Sequence, residues 1–276
     1  MVDDIDMAIT HVIRGDDHVN NTPRQINLYH AMGKTPPVFA HTPTVLGADG
    51  SKLSKRHGAK SVMEYQAEGY LPEAMINMLA RLGWSHGDEE VFSREQLVQW
   101  FDANKISSSA SRFDAEKLLW LNHEHIKRAE GYALAAMLKP FLLKNNYVLD
   151  DGPDIARVAD LLRDRASTLV EMAEAARYFY VRPSLDRALL AQHLTDTASP
   201  ALAELTQSLS AINWSKSDIN AAIKSTIAKH GLKMPQLMMP LRVLVTGQTQ
   251  TPAIDAIMEV LGREEVLARL NAWPGN

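Results

Sequence analysis

Four cations fall within nine residues in Lys52-Leu53-Ser54-Lys55-Arg56-His57-Gly58-Ala59-Lys60. The approach, Thr42-Pro43-Thr44-Val45-Leu46-Gly47-Ala48-Asp49-Gly50-Ser51, is a short β-prone run leading into an Asp-Gly turn. A glycine-bracketed loop of this charge can hold positive charge over a polyphosphate, where negative charge builds on a leaving group. Charge alone favours a plainer origin, a solvated basic loop or a nuclear-targeting run. The specific string, with its approach and exit, reverses that preference.

Other clusters are weaker. Arg14-Gly15-Asp16-Asp17-His18 closes a short β-branched run, Ile9-Thr10-His11-Val12-Ile13. Ligands of parallel sheets bind outside the carboxyl ends of strands, where an arginine can clamp a carboxylate. A strand-end arginine beside two acids favoured by a helix N-terminus explains the cluster equally well. Asp16, Asp17 and His18 are adjacent and do not converge on one ion, so no metal is expected there. His123-Glu124-His125 lacks the i, i+4 spacing of a zinc pair and follows Asn122 at an expected helix end; it reads as solvated polar surface, as does His86. Trp84, Trp100, Trp120, Trp214 and Trp273 read mostly as packing residues, with one or two able to stack on bases. Met234, Met238 and Met239 read as gap-filling core. Arg157, Arg163, Arg165, Arg177 and Arg182 are interleaved with acids and read, on charge alone, as a salt-bridged helix surface.

These residues must be held by elements. The first fifty residues read as strand, helix, strand: a run ending at Arg14-Gly15, a helix capped by Thr22 with Pro23 in its first turn or at a kink and Gly33 as its stop, then a strand from Val38 through 44–46. That order is a βαβ unit with parallel strands, and two parallel strands do not cover their own faces. The pattern then turns helical: 74–82 after Pro72, 97–103 behind the capping box Ser93-Arg94-Glu95-Gln96, 116–121 behind Asp114, and 133–143 ending at Asn145-Asn146. Helical spacing continues over 201–212, 219–230, 237–246 and 253–261, with Ser199-Pro200, Ser215 and Thr251-Pro252 as cap signals and Gly231 and Gly262 as stops. The softest boundaries are Asp150-Asp151-Gly152-Pro153 and, more weakly, Glu130-Gly131. The fold class is mainly α, with a small α/β head.

With 276 residues, 46% of them hydrophobic, 22% charged and no cysteine, the chain has room for about two domains and neither a disulfide framework nor a thiolate metal site. The start shows no signal-peptide pattern, and no apolar run approaches the ~20 residues needed to span a bilayer. A formal net charge of −4 leaves any nucleic-acid contact to local patches.

The string Lys52-Leu53-Ser54-Lys55-Arg56 resembles the "KMSKS" loop of class I aminoacyl-tRNA synthetases, in the form typical of bacterial glutamyl-tRNA synthetases. Val2-Asp3-Asp4, Arg14-Gly15-Asp16-Asp17-His18, His41-Thr42-Pro43, Gly69-Tyr70-Leu71-Pro72-Glu73-Ala74, Phe113-Asp114-Ala115-Glu116-Lys117-Leu118 and Leu241-Arg242-Val243-Leu244-Val245-Thr246-Gly247 extend the resemblance over nearly the whole chain. The resemblance implies the end of a Rossmann-type catalytic domain over 1–60, a helical stem-contact domain over 61–130 and an all-α anticodon-binding domain over 131–276. It implies that Lys55 contacts ATP phosphates and the departing pyrophosphate, while Lys52 and Arg56 shape and charge the loop. Val45 would lie along the nucleotide, Asp17 near ATP, and Arg14 in the glutamate pocket. Arg165 and Arg163 would fall in the anticodon-reading region, with Trp120 a further tRNA contact. ATP with Mg2+ is the implied substrate complex, with no metal site in this chain. L-glutamate and tRNA(Glu) are the other implied partners, for a monomeric cytoplasmic ligase.

One departure stands out. The family carries a "HIGH"-like histidine pair on a glycine-rich turn, and no His-x-Gly-His string occurs here. Met1 sits just before Val2-Asp3-Asp4, deep inside the family pattern. The expectation is therefore a C-terminal portion of such an enzyme, inactive alone, with the remaining N-terminal half as a partner. The alternatives are a non-catalytic tRNA-binding module or truncated product, a glutaminyl-type relative with a β-barrel anticodon region, and a glutamyl-queuosine relative without a long helical tail.

Overall fold

A computed structural model describes residues 1–54, 60–184 and 186–273. Its contacts divide into two compact units, Met1–His125 and Ile126–Asn276. The first carries α1 (Val2–Asp6), β1 (His11–Gly15), α2 (Thr22–Ala31), β2 (Val38–Thr42), α3 (Val62–Ala67), α4 (Pro72–Arg81), α5 (Arg94–Trp100) and the start of α6 (Ala115–Arg128). β1 and β2 pair in parallel, with Arg14 opposite His41 and Gly15 opposite Thr42. The expected βαβ unit is present. Ile13 and Val38 are 63% and 61% exposed, so the sheet indeed leaves apolar surface uncovered.

Several local expectations are corrected. Thr22 is the first helical residue of α2; Asn21 precedes it and makes no side-chain cap. β2 stops at Thr42 because Pro43 has no N–H for the ladder. Leu46, expected in that strand, instead bridges Lys52 and Arg112. The Ser93–Gln96 capping box forms, but α5 ends at Trp100 rather than running to 103. There Phe101 turns extended, and Asp102 Oδ1 accepts from Asn104 N at 3.0 Å to start a separate 3₁₀ turn.

The largest correction is at His123-Glu124-His125, which lies inside α6 and not at a helix end. Asn122 is fully buried: its Oδ1 accepts from Leu71 N at 2.7 Å and its Nδ2 donates to the Gly69 carbonyl at 3.4 Å. His125 is buried, with Nε2 2.9 Å from Asn77 Oδ1. That oxygen only accepts, so the ring proton sits on Nε2. Asn77 also accepts from Phe92 N at 3.2 Å and donates to the Glu90 carbonyl at 3.0 Å. These polar residues brace the core of Met75, Met78, Leu118 and Leu121. His86 is likewise not free surface; its ring stacks on Trp100 at 4.4 Å and 8°.

The second unit contains α7 (Gly131–Lys144), α8 (Ile155–Leu162), α9 (Leu169–Ala175), α10 (Arg177–Tyr180), α11 (Arg187–His193), α12 (Ala198–Ala211), α13 (Lys216–Lys229), α14 (Met234–Thr246), α15 (Ile254–Leu261) and α16 (Arg263–Asn271). Asp150-Asp151-Gly152-Pro153 lies within it. α15 is apolar nearly all round and accordingly buried, with Ile254, Ile257 and Met258 fully enclosed. Met234 is 45% exposed at the start of α14, so it is not the core residue expected. Gly247 closes α14 at φ +71°, and a Cβ there would stand 2.9 Å from Pro183 Cβ. Only glycine meets both demands. Among the described residues no helix is long and apolar enough to cross a membrane.

Candidate functional site

Two clusters, one in each unit, carry the residues singled out by their chemistry. In the first unit the parallel register puts Arg14 and His41 side by side at the carboxyl ends of β1 and β2. The Arg14 guanidinium is half-buried. Its Nη2 donates to Thr22 Oγ1 at 2.8 Å and Gln25 Oε1 at 2.7 Å, and its Nε to His41 Nε2 at 3.4 Å. The Phe39 ring lies under it at 5.3 Å. None of these partners is a carboxylate, so no acid among them neutralises the guanidinium at the strand ends.

Beyond Arg14 the chain turns through Asp16 and Asp17. A Cβ at Gly15 would meet Asp17 Oδ1 at 2.5 Å, so glycine is what lets the Asp17 carboxylate fold back against the backbone. Asp16 Oδ1 accepts from Thr44 Oγ1 at 2.5 Å. Asp17 Oδ2 accepts from Lys52 Nζ at 3.0 Å, a bond that holds the Asp17 carboxyl below the usual carboxylate range. Asp17 and Lys52, 35 residues apart in sequence, therefore meet at the strand ends. Val45 stands at the root of the loop, its carbonyl accepting from Leu53 N at 2.9 Å. Leu46 is pinned on its other side by Ser111 and Phe113 main-chain bonds of 2.8 Å each. Asp49 Oδ1 accepts from Ser51 N at 3.0 Å, and Gly50 adopts φ +78°, which forms the expected Asp-Gly turn. Lys55 and Arg56 lie outside the described residues. Among those described, no group of three or more metal-ligating side chains converges.

In the second unit the arginine-rich region separates into paired and unpaired members. Arg163 is bound to Asp160 and donates to the Lys127 carbonyl at 3.2 Å. Arg182 forms a two-point pair with Glu265 (3.0 and 2.5 Å), and Arg157 Nη2 stands 3.7 Å from Glu259. Arg165, exposed just beyond α8, has no carboxylate partner among the described residues; its charge is felt by both Tyr178 and Arg242. Tyr178 is 3% exposed, and its hydroxyl has no hydrogen-bond partner. Burial raises the pKa of that hydroxyl, against the opposing pull of Arg165 and Arg242. Burial, then Arg165, pushes the Arg242 guanidinium down. Arg242 donates Nη1 to the Thr251 carbonyl at 3.0 Å and leaves its buried Nε unbonded. Tyr178 and Arg242 thus each bury a polar atom without a hydrogen-bond partner, and Arg165 is the exposed cation whose charge both feel. Trp120 sits on α6 in the first unit, 45% exposed.

Sequence reasoning missed Tyr178 and Arg242 as a pair with Arg165. The signal available for Arg242 was a lone cation inside the apolar run Leu241–Val245. It also missed the three side chains that hold Arg14, because their convergence is long-range.

Residues 133–273 match the family model described as an anticodon binding domain, and residues 1–120 match the catalytic domain of class I tRNA synthetases (E and Q). The chain therefore belongs to the class I tRNA synthetases of this glutamyl and glutaminyl group. Within that group it is 59% identical over 274 residues to the glutamate–tRNA ligase of Thiobacillus denitrificans and 58% identical over 269 residues to that of Janthinobacterium sp.. These alignments cover 99% and 98% of this chain and 58% of each relative's length, so the chain spans well under two thirds of the ligases it matches. The solved glutamate–tRNA ligase of Elizabethkingia meningosepticum, in complex with its amino acid, superposes with a TM-score of 0.82 at 32% identity, covering 98% of this chain and 58% of that one. The family resemblance and the mainly α fold with a small parallel sheet are both as the sequence implied.

Proposed function

We propose that this chain carries part of the active site and the tRNA-reading body of a cytoplasmic, monomeric glutamate–tRNA ligase. The observation that carries the reading is the assembly at the strand ends: Arg14 charged and half-buried, and Lys52 brought onto Asp17 beside the loop. In adenylation a glutamate carboxylate oxygen bonds to the α-phosphorus of ATP, and the bond to the bridging oxygen breaks to release pyrophosphate. The terminal adenosine hydroxyl of tRNA(Glu) then attacks the activated carbonyl and releases AMP. In this scheme Lys55 binds the ATP phosphates and stabilises the departing pyrophosphate. Lys52 and Arg56 set the charge and shape of that loop, and the Val45 main chain lies along the nucleotide. Asp17 holds Lys52 in place beside ATP, and Arg14 binds a substrate carboxylate. Mg2+ would arrive with ATP.

Residues 1–60 act as the end of the catalytic domain, 61–130 as the stem-contact domain and 131–276 as the anticodon-binding domain. Arg165 reads an anticodon base; Arg163 and Trp120 are further tRNA contacts. The remaining segment of the ligases is the partner that completes the active site. Binding of tRNA(Glu) and glutamate-dependent ATP–pyrophosphate exchange test the reading together. The chain alone binds tRNA(Glu) without exchange. Supplying the remainder of the Thiobacillus denitrificans ligase in trans restores exchange, and Lys55→Ala then lowers it by roughly 10²-fold. No tRNA binding, or full exchange by the chain alone, refutes it. Binding with no exchange under any supplementation favours the second reading, a tRNA-binding module.

A further inference from the structure

Arginine has five N–H donors: one on Nε and two on each Nη. At Arg14 both protons of Nη2 are taken, by Thr22 Oγ1 and Gln25 Oε1, and the Nε proton points at His41 Nε2. Thr22 Oγ1 accepts from Arg14 and lies 3.0 Å from the same His41 nitrogen and 3.3 Å from the His18 carbonyl, so its one proton has two acceptors within reach. The Arg14 Nε bond itself requires a lone pair on His41 Nε2, with the ring proton on Nδ1. Phe39 fixes the plane of the guanidinium from below. Only Nη1 has no hydrogen bond among the described residues.

We propose that Thr22, Gln25 and His41 are positioning residues that lock the Arg14 guanidinium in one orientation, leaving Nη1 as the single nitrogen it offers to a carboxylate. The carboxylate clause rests on the role given to Arg14 above; the lock does not. Two consequences follow from the geometry. Arg14 grips its ligand through one nitrogen rather than the two-nitrogen fork, so it fixes charge and position while other groups must fix the plane of the carboxylate. And a change at Gln25, which need not touch the ligand, acts through the direction in which Nη1 points.

The test is side-chain NMR of the chain labelled with ¹⁵N-arginine. In the unsubstituted chain Nη1 and Nη2 of Arg14 give separate signals, and the Nε proton exchanges with water at least ~10-fold more slowly than that of the exposed Arg94, given three bonds on a charged group. Gln25→Met and Thr22→Val merge the Nη signals without altering the backbone amide spectrum elsewhere. Gln25→Glu, which keeps an acceptor oxygen, retains them; a merely structural role for Gln25 would not show this rescue. A proton on His41 Nδ1 and none on Nε2, read from the ring nitrogens, agrees with the Arg14 Nε bond to His41; a proton on Nε2 removes His41 from the lock. Averaged Nη signals in the unsubstituted chain, or separate ones in Gln25→Met, overturn the lock. With L-glutamate added alongside the remainder of the ligase, the Arg14 response is confined to Nη1. An equal response at Nη2 overturns the proposal. No response at any Arg14 nitrogen overturns its carboxylate clause together with the reading it rests on, and is distinguishable because the lock signals persist.

Discussion

Tyr178→Phe separates stability from recognition in the second unit. Tyr178 is 3% exposed, and its hydroxyl is buried without a partner in the field of Arg165 and Arg242. A buried polar group left unsatisfied costs about 1–3 kcal/mol, and replacing it by an apolar group of the same shape recovers much of that. The nearby guanidiniums favour the hydroxyl oxygen, so the low end applies: a gain of about 1 kcal/mol, or roughly 2–4 °C in Tm for a unit of this size. Because the hydroxyl is buried, its deletion leaves tRNA(Glu) affinity within about twofold. Urea unfolding followed by far-UV circular dichroism gives the first number, and a fluorescence titration with tRNA gives the second. Destabilisation by about 1 kcal/mol or more would show that the hydroxyl is bonded in solution and contradict the expected gain. A large loss of affinity would show that the hydroxyl reaches the tRNA.

Arg165→Ala, at an exposed position, leaves stability within about 0.5 kcal/mol and weakens tRNA binding by roughly tenfold. A phosphate contact also lowers the salt slope by about 0.7, whereas a base contact does not. Asn77→Ala strands the Glu90 carbonyl, the Phe92 N–H and the His125 ring, and costs about 2–3 kcal/mol in denaturant titration. Arg269→Met breaks a buried network in which the guanidinium donates to Glu265, the Val245 carbonyl and the Tyr178 carbonyl, and costs about 3 kcal/mol. Arg182, then Arg269, hold Glu265 below its ordinary value of 4.5. Their contribution is complete above pH 4.5 and is lost as pH falls through the lowered value. Acid titration of Arg182→Gln therefore converges with that of the unsubstituted chain at low pH, while differing by about 0.5 kcal/mol at neutral pH.

The parallel βαβ head, the Ser93 capping box, the Ser215 cap and the Gly262 stop are local devices, and each was legible from residue type and spacing. The largest errors came where long-range contacts decide. Asn122 and His125 look like a polar helix end, yet their partners Leu71 and Asn77 lie about fifty residues earlier and make them interior. Asp17 and Lys52 were each singled out separately, but nothing local shows that they bond. Arg165 stood among five arginines with no means of choosing between them. It is distinguished from Arg163 and Arg182 by the carboxylates those two meet, and by the buried Tyr178 hydroxyl that none of its sequence neighbours discloses.

On the proposed function, the second unit reads an anticodon through Arg165, an exposed arginine with no carboxylate partner among the described residues. Equilibrium binding of the chain to tRNA(Glu), beside the same tRNA with its anticodon triplet replaced, tests it most directly. Saturable, salt-dependent binding that weakens at least ~10-fold on anticodon replacement, and by much less in Arg165→Ala, is the result expected. Equal affinity for both tRNAs in the unsubstituted chain would contradict it.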